Sequence, residues 1–548
     1  MQTEAREFRV FGSPGTGKTT YLTSQIQAAA NKYGADRLFV ASFTKAAAHE
    51  VSGRNQNIQN VGTLHAHGYR SLGGTLKVAE AMINEWNEEH PEYMLSDGKQ
   101  SDVDEVSEAG TISTAGDELY AEMQLKRALM VPRDLWPVAV QAFARRWENW
   151  KKARGIIDYT DMIEIPYRDV DAPPGNPSVG FFDECQDFTP LEMALVRKWG
   201  RTLDYIILAG DDDQCIYEWA GARPDVLIDG EPAKKVVLKQ SYRVPRAIHA
   251  VAMREISTVT KREPKEYRPR DEDGEVRYLR GVNSTMPEMI IRDIETRYKD
   301  KRIMILASCS YMLHNMIQAL KMAGIPFANP YRPKNGAWNP LRRSTKDHTS
   351  TIDRLLAYID MVPVEYREPD GDWEYLLDAG DFLKWYEILK TKGNIPKGTR
   401  DDRIEELKTI IANDGELLLH DVWRFFEEKS GVWDYWGNPT RLLEAVDWLI
   451  KNSQADKARA MEFPRRIIKR RGVQALKDEP RIILGTIHSV KGGEADVVYV
   501  IPDLSYGAYQ EKESSIAGRD AIKRLKYVAY TRARESLVLL DGATNLVM

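Results

Sequence analysis

At 548 residues the chain exceeds what one hydrophobic core supports, so several domains are expected. Its 77 Lys+Arg against 82 Asp+Glu leave a net charge of −5, which excludes a globally basic nucleic-acid binder but not a basic groove on a neutral body. Cys185, Cys215 and Cys309 stand far apart without disulfide or metal spacing, and no apolar run of membrane-spanning length or signal-peptide core is evident. A cytoplasmic protein with no membrane contact is the expectation.

The first predicted strand is the apolar run Phe8, Val10, Phe11. Gly12, Ser13, Pro14, Gly15, Thr16, Gly17, Lys18, Thr19 and Thr20 follow, and then a helix-compatible stretch with Tyr21, Leu22 and Ile26. Strand, glycine-rich turn and helix form the context in which Gly-x-x-x-x-Gly-Lys-Thr cradles phosphates. The glycines let successive N–H groups point inward, and the helix start adds partial positive charge. Lys18 would reach the β- and γ-phosphates, and the Thr19 hydroxyl would ligate Mg²⁺. A plain surface turn beside a lysine is the alternative, and the motif in its context argues against it. The chain is expected to bind a nucleoside triphosphate.

Residues 38–43 read as a buried strand, residues 44–50 as a helix opening on Thr44, and residues 61–67 as a strand-to-turn unit. Between about 79 and 152 the pattern becomes helical and amphipathic, with Trp86, Trp147 and Trp150 best explained by packing. Buried strands resume at Val179, Phe181 and Phe182, ending in Asp183 and Glu184, and at Ile206, Ile207 and Leu208, ending in Asp211, Asp212 and Asp213. Apolar strands with polar clusters at their C-terminal ends indicate a parallel α/β sheet with its site on that edge. A second α/β section is expected from 302–307 onward. A polar, Trp-rich, helical stretch from 329 to about 478 interrupts it, and strands return at 481–485, 496–501 and 536–540. The acid pair is chemically coherent with Lys18 and Thr19: Asp183 can hold Mg²⁺ through water while Glu184 activates the attacking water as general base.

At this point Asp183-Glu-Cys-Gln-Asp187, followed by Gly210-Asp-Asp-Asp-Gln-Cys-Ile-Tyr-Glu-Trp-Ala-Gly-Ala222, resembles the superfamily 1 DNA helicases of the UvrD/Rep type. Further elements match in the family's order. They are Ser42-Phe-Thr-Lys-Ala-Ala47, Thr63-Leu-His65, Ser241-Tyr-Arg243, Thr486-Ile-His-Ser-Val-Lys-Gly-Gly-Glu494 and Tyr527-Val-Ala-Tyr-Thr-Arg-Ala533. A phosphate loop alone is a weak signal, whereas this ordered set is specific. It covers both presumed motor regions and leaves the helical inserts without recognisable sequence.

The resemblance implies two RecA-like parallel-sheet motor domains in an α/β protein, each interrupted by a mainly helical insertion. The expected partition gives 1–70 with 153–246 to the first motor, 71–152 to its insert, 247–334 with 479–548 to the second motor and 335–478 to its insert. It also implies that Gln214 links the γ-phosphate to the DNA side, that Tyr242 stacks on the base, and that Arg243 and Arg532 neutralise the transferring phosphoryl group. Glu494 would contact the ribose or the metal-bound phosphates. Phe43, Thr44, Thr63, His65, Trp219, Thr486 and His488 would contact single-stranded nucleic acid, with Trp219 the foremost stacking platform. The basic run from 463 to 471 would either touch a phosphate backbone or be a solvated helix face.

The sequence departs from the family in three places. The family's upstream adenine-reading glutamine has no clear counterpart, Gln2 being too close to the first strand, so relaxed nucleotide preference is expected. Gly493 and Ala495 replace the usual leucine and aromatic residue, and the second insert lacks the glycine-rich duplex-binding element. The expected activity is Mg²⁺-dependent ATP hydrolysis driving 3′-to-5′ movement on single-stranded DNA and unwinding at single-strand/duplex junctions, with room for a replication or repair protein partner. The alternatives are a translocase that displaces proteins with little unwinding and a nucleotide-switched DNA-binding module, with RNA as a further possible track.

Overall fold

The computed structural model describes residues 6–42, 58, 60–96, 114–346, 348–361, 363–367, 373–413, 415–434 and 439–548. The chain divides into two compact units. One comprises Met1–Asn283, Leu306–Met312 and Thr486–Met548, the other Ser284–Ile305 and Leu313–Gly485.

The first unit is built on a six-stranded parallel sheet of strands β1 (Glu7–Gly12), β2 (Leu38–Ser42), β3 (Val61–Thr63), β4 (Val179–Asp183), β5 (Tyr205–Gly210) and β6 (Lys234–Leu238), in the order β3-β2-β4-β5-β1-β6. Successive strand residues face opposite sides, so the continuous apolar runs fill two cores. Val10, Val40, Phe181 and Ile207 pack with Leu22 and Ile26 of the helix Lys18–Tyr33. Phe11, Phe39, Phe182 and Leu208 pack on the other face with Leu191, Leu195 and Trp199 of the helix Pro190–Gly200. The register sets Phe11 beside Gly210 and Ser42 beside Asp183, which brings the ends of β1, β2, β4 and β5 to one edge.

The helices Ile83–Glu89, Ala115–Ala128 and Val138–Arg154 form the helical stretch between β3 and β4. Trp86, Trp147 and Trp150 are core residues there, with ring centroids 5.0 Å apart for Trp86–Trp147 and 5.2 Å for Trp147–Trp150. Arg127 and Lys151 are buried among Asp158, Asp161 and Glu164, a compensated ion cluster beneath the aromatic core. The first unit also holds Ala495–Val500, Ala533–Leu540 and Glu275–Leu279 as parallel neighbours, with the helix Ile516–Tyr530 leading into Thr531 and Arg532.

In the second unit, Phe327–Ala328 pairs in parallel with Ile482–Thr486. The long insertion is mainly helical, with Thr351–Asp360, Ala379–Tyr386, Arg400–Asn413, Leu442–Asn452 and Ala455–Arg471. It also carries a small antiparallel sheet of Val364–Arg367, Trp373–Asp378 and Glu416–Leu418, which the sequence pattern did not announce. The basic run lies on Ala455–Arg471. It buries Phe463, Ile467 and Ile468, pairs Arg465 with Asp447 and Arg471 with Glu295, and leaves Lys469 and Arg470 exposed. The two RecA-like parallel-sheet parts with helical insertions are the expected fold class. The expected helix at 44–50 and Phe43 lie outside the described residues. Among those that are described, no helix is long and apolar enough to cross a membrane.

Candidate active site

The phosphate loop leaves β1 at Gly12 and enters the helix Lys18–Tyr33 through Gly17, whose φ of 79° is left-handed. Glycine is the residue that takes that conformation without steric cost. No side chain caps the helix start, so its first N–H groups are left to an anion. Gly15 has a second requirement: besides φ of 76°, a Cβ there would sit 2.4 Å from the Arg243 Cβ. Ser241 donates its hydroxyl to the Pro14 carbonyl at 2.9 Å, Tyr267 donates to the same oxygen at 3.0 Å, and the Tyr242 N–H donates to the Gly15 carbonyl at 2.8 Å. The loop is thereby tied to the segment that carries Tyr242 and Arg243. Lys18 lies back over the loop, its Nζ donating to the Gly12 carbonyl at 3.0 Å, and Thr16 donates to the Ser13 carbonyl at 2.8 Å. Thr19 and Thr20 are in the first helical turn beside it.

Asp183 ends β4, buried, and accepts the Glu184 N–H at 2.9 Å. Glu184 has φ of 54°, one of three non-glycine residues with positive φ among those described. Its carboxylate accepts from Gln186 Nε2 at 2.6 Å, and the Gln186 Oε1 accepts the Asp211 N–H at 2.9 Å, joining the ends of β4 and β5. Burial alone would raise the Glu184 carboxyl. Lys18, Lys491, the Gln186 hydrogen bond and Arg532 outweigh it and hold the group below the usual glutamate value.

Gln214 is gripped from three sides. Its Nε2 donates to Asp211 Oδ2 at 2.7 Å, its Oε1 accepts from Arg532 Nη2 at 2.9 Å, and its backbone carbonyl accepts from Lys491 Nζ at 2.7 Å. Arg532 is buried, and it also donates to the Val528 carbonyl at 3.0 Å and the Gly493 carbonyl at 3.2 Å. Lys491 also donates to both Asp187 oxygens, at 2.6 and 2.5 Å. Arg243 donates to Glu494 at 2.5 Å, and Arg534 takes the other Glu494 oxygen at 2.5 Å. Burial would raise Glu494, but the Arg243 and Arg534 charges hold it low. Tyr242 is 72% exposed, its ring presented beside the loop that its own N–H holds. The Lys491–Asp187 pair joins two of the quoted motifs, although neither residue was singled out as a site residue. Lys491 lay inside the Thr486-to-Glu494 motif, and Asp187 closed the Asp183-to-Asp187 motif.

Of the residues expected to meet nucleic acid, Trp219 and His488 come together. Their rings are 6.3 Å apart and each flanks Tyr217, at 6.4 and 5.6 Å. Trp219 is half-buried with its Nε1 unpartnered, and His488 Nε2 lies 3.1 Å from the Ile216 carbonyl. Thr63 caps the helix Leu64–Ser71, and His65 Nδ1 is 3.6 Å from Glu192. Thr486 is buried, its hydroxyl accepting the Ser489 N–H at 3.2 Å. Phe43 and Thr44 lie outside the described residues.

The UvrD/REP helicase N-terminal domain matches residues 1–233, and the UvrD-like helicase C-terminal domain matches residues 394–541. The chain is 22% identical to a probable DNA helicase II homolog of Mycoplasma capricolum, covering 97% of this chain and 81% of that protein. It is 21% identical to the ATP-dependent DNA helicase Rep of Buchnera aphidicola, over 96% of this chain and 91% of that protein. It is 22% identical to the ATP-dependent DNA helicase PcrA of Staphylococcus aureus, over 67% of this chain and 55% of that protein. With both helicase halves in sequence order, and the phosphate loop, acid pair, glutamine and arginine gathered in one unit, the chain belongs to the UvrD/Rep-type helicase family.

Proposed function

We propose that this protein hydrolyses ATP with Mg²⁺, translocates 3′ to 5′ along single-stranded DNA and separates duplex strands ahead of it. The observation that supports this most is the contact of Arg532 with Gln214 in the unit that also holds Lys18 and Glu184. A lysine, an ionised acid, an amide and a guanidinium are the groups phosphoryl transfer uses for positioning and charge neutralisation. In this reading Lys18 and the loop N–H groups hold the β- and γ-phosphates, and Glu184 takes the proton of the attacking water. Arg243 and Arg532 neutralise charge on the phosphoryl group, Tyr242 stacks on the base, and Glu494 fixes Arg243. Thr19 and Asp183 are hard oxygen donors at the loop edge, the type Mg²⁺ takes, and they would hold it. Bound Mg²⁺ would spread the phosphate charge.

On the DNA side, Trp219, His488, Thr63, His65 and Thr486, with Phe43 and Thr44, form the grip. Trp219→Ala is expected to weaken single-stranded DNA binding by about 1–3 kcal/mol, the range for losing one base stack. It should depress DNA-stimulated ATPase more than basal ATPase. Equal loss of both rates would assign Trp219 to packing.

The activity itself is tested with duplexes bearing a 3′ or a 5′ single-stranded tail, unwinding and ATP hydrolysis being followed together. Unwinding of the 3′-tailed duplex alone is expected. Unwinding from the 5′ tail reverses the polarity, ATPase without strand separation favours protein displacement, and equal stimulation by single-stranded RNA removes DNA as the specific track.

A further inference from the structure

Behind Gln214 lies a buried ion cluster that the hydrolytic reading leaves unused. The Lys265 side chain, 1% exposed, places Nζ 2.9 Å from Asp211 Oδ1, 2.5 Å from Asp212 Oδ1 and 2.9 Å from Asp213 Oδ2, and all three carboxylates are fully buried. Two of the aspartates have further strong donors. Arg262 grips Asp213 through Nε at 2.9 Å and Nη2 at 2.5 Å, and the Glu263 N–H donates to Asp212 Oδ2 at 2.8 Å. Asp211 instead turns its Oδ2 to Gln214 Nε2 at 2.7 Å. Burial favours the neutral amine of Lys265, but the three carboxylates outweigh it and hold the ammonium well above the ordinary lysine value.

An amide has a donor end and an acceptor end, and the two ends of Gln214 face different partners. With Nε2 on a carboxylate, Oε1 points to Arg532 Nη2 at 2.9 Å. If the amide flipped, an N–H₂ would face a guanidinium, two donors with no acceptor between them. What keeps the amide the right way round is an acceptor oxygen of Asp211, whose carboxylate is fixed in rotation by Lys265 Nζ at 2.9 Å and the Asp213 N–H at 3.4 Å on its other oxygen.

We propose that Lys265 is a positioning residue for Gln214: by holding Asp211 it sets the direction of the Gln214 amide and so keeps Oε1 on Arg532. This rests on the hydrolytic role assigned to Gln214 and Arg532 above. The segment carrying Lys265 also carries Tyr267, whose hydroxyl reaches the Pro14 carbonyl at 3.0 Å, so one short stretch braces both the glutamine and the phosphate loop.

The test measures kcat for ATP and equilibrium binding of a fluorescent ATP analogue on the full chain. Lys265→Met is expected to lower kcat about tenfold while the dissociation constant stays within about twofold, and to add no further loss in a Gln214→Met background. Multiplying losses in the double variant overturn the proposal, because Lys265 would then act elsewhere. Lys265→Met strands buried carboxylates and risks the fold, so Asp211→Asn and Asp212→Asn provide a second comparison. Each removes one carboxylate from Lys265, but only Asp211 touches Gln214. Loss of about tenfold for Asp211→Asn against at most about twofold for Asp212→Asn supports the proposal, and equal losses overturn it. An inactive Gln214→Met beside an unimpaired Lys265→Met overturns this inference alone. Full turnover by Gln214→Met overturns it together with the reading beneath it.

Discussion

Glu184→Gln is expected to bind nucleotide normally and to hydrolyse it at least about 100-fold more slowly, the low end of what a general base contributes. The substitution keeps size and shape, and an amide oxygen can still accept from Gln186 Nε2, which the carboxylate meets at 2.6 Å. It cannot take a proton from water. The surroundings prepare the carboxylate for that task, since Lys18, Lys491 and Arg532 outweigh burial and keep it ionised. The sign of the pH dependence follows. A base held below its ordinary value of 4.5 stays competent on acidification, so any acid limb due to Glu184 falls below pH 4.5. Steady-state ATPase beside equilibrium nucleotide binding checks both points. Normal turnover by Glu184→Gln would remove this residue as the base.

Arg532→Ala is expected to cost about 1,000-fold or more in kcat, the scale on which an arginine acts on a transferring phosphoryl group. It would also strip the Gln214 Oε1 of its 2.9 Å donor, so the glutamine loses its direction at the same time. Because Arg532 is 1% exposed, the alanine also leaves a cavity, and Arg532→Lys is the companion that keeps the charge. An ammonium cannot reproduce the fork that reaches the Val528 carbonyl, the Gly493 carbonyl and Gln214 together. The lysine variant should therefore fold, by circular dichroism and thermal melting, and still fail to turn over. A lysine variant with more than about a tenth of wild-type kcat would show that the charge alone suffices and that the guanidinium fork is not needed.

β4 and β5 were legible in the sequence because they are buried on both faces and so appear as apolar runs, and β1 because Phe8, Val10 and Phe11 flank a single Arg9 before the glycine-rich loop. Their chemistry was legible because it sits at the strand ends, where the Phe11–Gly210 register brings the phosphate loop beside Asp211. Lys265 was not. Thr-Lys-Arg-Glu-Pro-Lys-Glu-Tyr from 260 to 267 reads as a solvated loop, and only folding shows that three buried aspartates neutralise its lysine. The strand Val364–Arg367 was hidden for a different reason: it is short, and Val364 and Glu365 are exposed, so it lacks the apolar signature of the main sheet. Trp219 was singled out as a stacking ring from its place in the motif. Its half-buried setting against Tyr217 and His488 depends on residues far along the chain.

Glu184 has a left-handed backbone, with φ of 54°, at the turn where β4 gives way to the short helix Cys185–Asp187. For an L-residue with a long side chain that conformation costs about 1–2 kcal/mol, and glycine or asparagine would relieve it. The turn keeps an acid there because its carboxylate takes the Gln186 Nε2 hydrogen bond at 2.6 Å and meets the charges of Lys18, Lys491 and Arg532, which offset the backbone cost. A glycine at this position would ease the backbone while leaving Lys18, Lys491 and Arg532 without their shared counter-charge, so the strain and the charge balance are two sides of one turn.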